Sequence, residues 1–185
     1  MTIFRIIVLV SCLLTAVLLS GCATNVIITP DVAAIAAGDF SLSGTIDYDG
    51  NKEYLPRTVS ADASSVRTLT LRYRYEVTYG RDAVPQVLPL FNPLTIVGFP
   101  IGADTVVVTG KLEILGGSST VKTYSAVCML DKHRTIFSEG ETMSEIRKRG
   151  LLAVRDNIES QMYADRDLLY SIDQQFSNQK EGGKS

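Results

Sequence analysis

From residue 39 onward, apolar and polar side chains alternate. Phe40, Leu42, Ile46 and Tyr48 take one parity, and Ser41, Ser43, Thr45 and Asp47 the other. A period of two predicts a half-buried strand. Asp49-Gly50 follows, and because both residues tolerate positive φ it predicts a hairpin. The return strand would run over 52–59, held to a sheet edge by Pro56. Residues 60–65 read as a polar loop. The longest alternation comes next. Leu69, Leu71, Tyr73, Tyr75, Val77 and Tyr79 share one face, and Thr68, Thr70, Arg72, Arg74, Glu76 and Thr78 share the other. This pattern predicts a strand whose Tyr face packs on a helix and whose Thr/Arg face meets water or a partner. Two further strands are expected over 105–115 and 121–130, joined by Gly116-Gly117-Ser118-Ser119 as a hairpin loop, with a short extension over 134–137.

The period then becomes helical. Ser138-Glu139-Gly140-Glu141 has the spacing of a capping box. Met143, Ile146, Gly150, Val154, Ile158 and Met162 follow at steps of three and four, with Leu151 beside them. Glu145, Lys148, Arg149, Arg155, Asp156 and Glu159 fall on the opposite side, and Glu145 and Arg149 form an i,i+4 pair. Leu169, Ile172 and Phe176 extend the apolar stripe. A straight helix over 141–176 would be about 54 Å long. A twelve-residue strand spans only about 40 Å, so a bend or a free end is expected after Tyr163. The fold class is α+β: an antiparallel sheet of about four to five strands with a long C-terminal helix packed on one face. A single domain would cover 39–176, and the polar stretch 177–185 would be a disordered tail.

The first residues belong to a different pattern. Arg5 precedes a largely apolar run over 6–19. Fourteen helical residues span roughly 21 Å, short of a hydrocarbon core of about 30 Å, so the run reads as the apolar region of a secretory signal. It ends in Leu19-Ser20-Gly21-Cys22, which resembles the lipobox of bacterial lipoproteins. The resemblance implies that residues 1–21 are removed. It also implies that the Cys22 thiol carries diacylglycerol and its freed amine an N-acyl chain, with no other cofactor. Two or three chains make a stable membrane anchor where one is marginal. Ala23-Thr24 lacks the Asp that typically holds such proteins in the inner membrane. That implies an outer-membrane lipoprotein whose domain faces the periplasm. Residues 22–38 would then be the lipidated Cys and a tether, with one short helix capped by Thr29, begun by Pro30 and ended by Gly38.

Removing the first 21 of 185 residues leaves 164, enough for one core, with 17 basic and 20 acidic residues and a net charge of −3. That balance gives no general attraction to nucleic acid. Cys12 leaves with the signal and Cys22 is acylated, so Cys128 has no partner for an intramolecular disulfide. Cys128 lies in a strand pattern and reads as a small buried hydrophobe. His133, the sole histidine, sits in the polar run Asp131-Lys132-His133-Arg134 and reads as a solvated turn residue. A zinc site or a Ser-His-acid triad has too few members, and no nucleophile elbow or phosphate loop is present. Asp47, Asp49, Asn51 and Glu53 alternate like calcium ligands, but their spacing fails the EF-hand pattern and suits a hairpin tip. The expectation is a protein that is not an enzyme.

One stretch remains. Between Asp82 and Asp104 no residue is charged, yet four of the six prolines fall there, at 85, 89, 93 and 100. Interior prolines rule out a transmembrane helix. Three readings stay open: an apolar connection capping the core, a hydrophobic loop that docks a partner protein, or a segment that dips into the membrane interface or lines an acyl-chain groove. Leu90, Phe91, Leu94, Ile96, Val97 and Phe99 are the candidate contact residues, with Arg72 and Arg74 on the polar strand face. The cluster Arg147-Lys148-Arg149, with Arg155, reads as a solvated helix face, or as a contact for lipid headgroups. The leading expectation is a lipid-anchored envelope protein that binds a protein partner at the membrane surface. The alternative is an accessory of lipid or lipopolysaccharide transport that binds acyl chains through 84–102.

Overall fold

The computed structural model describes residues 25–33, 40–62, 69–81, 102–134 and 141–178. The class is α+β. Six strands, β1 (Asn25–Thr29), β2 (Leu42–Asp47), β3 (Val59–Ala61), β4 (Leu69–Arg81), β5 (Gly102–Gly116) and β6 (Ser119–Arg134), form one sheet in the order β1-β6-β5-β4-β2-β3. Two helices, α1 (Met143–Ala164) and α2 (Arg166–Asn178), cover one face.

The long central strands follow the alternation. Leu69, Leu71 and Tyr73 of β4, Val106, Val108, Leu112 and Ile114 of β5, and Tyr124, Ala126, Cys128 and Leu130 of β6 are buried on the helix side. They meet Ile146, Leu151, Val154, Ile158 and Met162 of α1 in one cluster. Fully burying each such side chain stabilises by about 2 kcal/mol. Two glycines set the helix–sheet distance. A Cβ on Gly150 would stand 2.8 Å from both Leu130 Cδ1 and Val108 Cγ2, and one on Gly110 would collide with Val154 Cγ1. β5 and β6 join through Gly117-Ser118, where Gly117 takes the positive φ of +65° that the tight turn needs.

Several expectations are corrected. The sheet has six strands rather than four or five, and it is mixed rather than antiparallel. β1, β6, β5 and β4 are antiparallel neighbours, but β2 runs parallel to β4 and β3 runs parallel to β2. Asp49-Gly50 therefore does not close a hairpin. The segment after it is tied to α1 instead of to β2. A short 3-10 helix, Lys52–Tyr54, is capped by Asn51. Glu53 pairs with Lys148 at 2.8 Å, its carbonyl accepts from Arg155 Nη1 at 2.7 Å, and Arg57 pairs with Glu159 at 2.7 Å. Held over the core by these contacts, the chain re-enters the sheet in its original direction. Glu159, expected on the solvated helix side, is thereby buried.

No helix begins at Thr29-Pro30 among the described residues, and residues 34–39 lie outside them. Asn25–Thr29 is strand β1, paired antiparallel with β6. The run Val26-Ile27-Ile28-Thr29 is β-branched throughout, which favours an extended chain, and the free edge of β6 supplies its partner. Gly38 lies outside the described residues. The helix cap also moves. Ser138 to Gly140 are outside the described residues, and the capping box is Thr142 with Glu145, a second Thr-x-x-Glu match in the same stretch. Glu145 is thus engaged at the cap, and Arg149 pairs with Glu141 rather than with Glu145. The expected interruption after Tyr163 is present at Asp165, which Lys122 and Tyr124 of β6 hold at 2.7 and 3.1 Å. From there α2 closes the far end of the core with Leu169 and Ile172 beside Phe40 and Leu42.

Candidate functional site

The register of the sheet brings the informative parts of the chain to one end. Asn25 opposes Asp131, Asp131 opposes Thr105, and Thr105 opposes Gly80. Strand neighbours lie about 4.8 Å apart, so this row spans roughly 14 Å. At this end β1 begins, β4 ends, β5 begins and β6 ends. Cys22 lies three residues before Asn25 and can be at most about 11 Å from it. The uncharged segment lies between Arg81, the last residue of β4, and Gly102, the first of β5, at this same end of the sheet. Its candidate contact residues Leu90, Phe91, Leu94, Ile96, Val97 and Phe99, and Cys22 itself, lie outside the described residues.

The N-terminus of α1 reaches the same end and frames an open cleft of about 570 Å³, lined by Tyr79, Gly80, Asp104, Met143, Ser144 and Arg147. The four cations of the basic cluster divide here. Lys148 pairs with Glu53, Arg149 with Glu141, and Arg155 with Asp156. Arg147 makes no ion pair among the described residues and stands at the cleft. The helix terminus beside it is already occupied. Glu145 Oε2 accepts from Thr142 N and Thr142 Oγ1, both at 2.8 Å, and these bonds hold its carboxyl below the usual Glu range.

On the helix-free face of the sheet, charge and apolar surface separate. Away from the end where β1 begins lies an ion-pair network. Asp47 receives Arg72 Nε and Arg74 Nη2 at 2.7 Å each, and Arg74 Nη1 also donates to the Asp47 carbonyl at 2.8 Å. The two guanidiniums hold the Asp47 carboxyl below its ordinary value, and Asp47 in turn raises Arg74. Lys111, 2.6 Å away, does the same to Glu113. Arg72 and Arg74, expected as contact residues, are thus the bolt between β2 and β4. They remain partly exposed, with their charge directed inward. Towards the end where β1 begins, the same face carries Ile27, Val127, Met129 and Val107 among Thr29, Thr78 and Thr109.

The chemistry-bearing residues do not converge. Cys128 is buried, and burial pushes its thiol up to about 11, so it is a poor nucleophile. His133 lies within β6 opposite Ala103, a strand position rather than a turn. Asp47, Asn51 and Glu53 each serve a different partner: the arginines, the Glu53 backbone N–H and Lys148. Among the described residues, no group of three or more His, Cys, Asp or Glu is placed to hold a metal. No described helix is long and apolar enough to cross a membrane.

No known family model and no curated protein matches this chain. What the chain does must therefore be argued from its own geometry. The feature that periodicity missed is β1, which joins the sheet directly to the residues after Cys22. The β-branched run at 26–29 was the available signal.

Proposed function

We propose that the chain is a lipid-anchored lipoprotein of the outer membrane, facing the periplasm, whose domain works without catalysis by binding a protein partner at the membrane surface. The observation that carries this reading is the shared end of the sheet. β1 starts three residues after Cys22, and Arg81 and Gly102 bracket the uncharged segment at the same end of the sheet. A tether this short keeps the start of β1 within roughly 11 Å of the anchored residue. The most apolar connection in the chain then emerges beside the bilayer, where an adaptor meets membrane-bound neighbours. The anchor supplies residence, through two or three acyl chains. Among the described residues, the scattered acids and the buried thiol form no nucleophile–base pair.

The test is capture of the intact lipidated protein, with photo-crosslinkers at Leu94 and Phe99 and mass spectrometry of both proteins and lipids. Crosslinks from both positions to one envelope protein are expected. Stoichiometric native lipid in place of a protein would favour the transport accessory that holds acyl chains. Crosslinks confined to the chain's own sheet would overturn both.

A further inference from the structure

The edge strand β1 displays apolar side chains on both of its faces. Val26, on the helix side, is 47% exposed, and Ile27, on the open side, is 59% exposed. Ile27 lies directly opposite Met129 of β6, which is 39% exposed, and Met129 lies opposite Val107 of β5. One row along, Thr29 opposes Val127, which is 38% exposed. Directly opposite residues on one sheet face touch, so these side chains form a continuous apolar corner. Its described margin carries Glu76 and Asp131, and Asp131 accepts from Thr105 Oγ1 at 2.8 Å. The ion-pair network of Asp47, Arg72, Arg74, Lys111 and Glu113 occupies the opposite half of the face.

Monomeric proteins keep such corners small or use them, and a flat apolar edge strand invites unwanted pairing. The position of Cys22 names the occupant. Only Ala23 and Thr24 separate it from Asn25, and Ile27 is two residues further on. We propose that the corner formed by Val26, Ile27, Val127 and Met129 rests on the phospholipid bilayer that holds the anchor, fixing the orientation of the domain. The contact is shallow. Among the described residues the outward N–H and C=O groups of β1 have no strand partner, and hydrocarbon does not tolerate unpaired backbone, so the strand stays in the hydrated headgroup layer while its side chains reach the interface. α1 and the charged half of the sheet then face away from the membrane. This inference rests on the lipid-anchor reading, and its test separates the two.

Full-length chains carrying Ile27→Cys, Met129→Cys or Thr123→Cys are produced in cells, purified lipidated in detergent and labelled with an environment-sensitive fluorophore. Buried Cys128 stays unlabelled. The proteins are reconstituted into vesicles of phosphatidylethanolamine and phosphatidylglycerol. Labels at 27 and 129 should shift to the blue and be quenched by nitroxide-bearing lipids, while the label at 123 should be quenched only by an aqueous agent. Lipidated, vesicle-bound protein whose labels at 27 and 129 answer the aqueous quencher like the label at 123 would overturn the inference and leave the anchor intact. Labels shielded from both quenchers would also overturn it, because protein rather than lipid would cover the corner. Protein recovered without a lipid mass and without vesicle binding would overturn the anchor reading itself.

Discussion

Tyr73→Phe should stabilise the domain. Tyr73 is fully buried in the centre of β4, and its hydroxyl has no hydrogen-bond partner among the described residues. Its ring packs edge-on against Tyr48 at 5.3 Å, and burial drives its hydroxyl pKa well above the usual tyrosine range. A desolvated hydroxyl without a partner costs about 1–3 kcal/mol. Removing the oxygen leaves a void no larger than a water-sized one, about 15 Å³, which costs roughly 0.4 kcal/mol. The ring contacts are unchanged, so the net gain should be about 1–2 kcal/mol. For a chain of this size that is a rise in Tm of roughly 3–6 °C. Thermal melting of the mature chain carrying Cys22→Ser, followed by circular dichroism at pH 7, measures it. Tyr48→Phe is the contrast. The Tyr48 hydroxyl donates to the Asn51 carbonyl at 2.9 Å, so its loss should cost about 1 kcal/mol. If Tyr73→Phe lowers Tm as Tyr48→Phe does, the Tyr73 hydroxyl is bonded and the reasoning fails.

Three further outcomes are expected. Gly110→Ala drives a Cβ into Val154 Cγ1 and should cost about 1–3 kcal/mol; Val154→Ala in the same chain should recover part of the loss, and a purely additive pair in urea unfolding would count against the packing argument. Glu159→Ala strands the Arg57 backbone N–H and removes a buried carboxylate, but the Arg57 head can turn to water, so the loss should be about 2 kcal/mol; under 0.5 kcal/mol would mean that the pair contributes little to holding the loop before β3. Asp47, Glu113, Glu145 and Asp165 are all held below their ordinary values of 3.8 or 4.5 by cations and hydrogen bonds, so their stabilisation is complete above those values and is lost as the pH falls through the folded ones. Tm should therefore be flat from pH 7 to 5 and fall below about pH 4.5. On the alkaline side burial raises Cys128 from 9.0 to about 11, so its contribution is complete below pH 9 and is lost above it, and Cys128→Ala should flatten that limb.

Strands with one buried face announced themselves. β4, β5 and β6 follow the period of two because the helix side is dry and the other side is wet. The apolar stripe of α1 and its break were legible for the same reason. Legibility ended where tertiary contacts decide. Nothing local says that Lys52–Arg57 is held by Lys148, Arg155 and Glu159 from a helix about 100 residues later, and so the parallel pairing of β2 and β3 was not readable. Two Ser/Thr-x-x-Glu matches stand side by side at 138–141 and 142–145, and spacing alone does not choose between them. β1 was hidden by Thr29-Pro30, whose cap chemistry competes with the β-branched run before it. Of the candidate site, the lipobox-like motif and the uncharged segment stand in the sequence itself. Their shared end of the sheet does not, because it depends on strand order.

The central claim is that Cys22 carries lipid and that the sheet begins three residues later. The most direct measurement is the intact mass of the protein extracted from the membranes of cells producing the full chain. The predicted mass is that of residues 22–185 plus one diacylglycerol and one N-acyl chain, with Cys22→Ser accumulating as an unprocessed precursor. An unmodified residue 22, or a mature chain that keeps residues 1–21, would contradict the account.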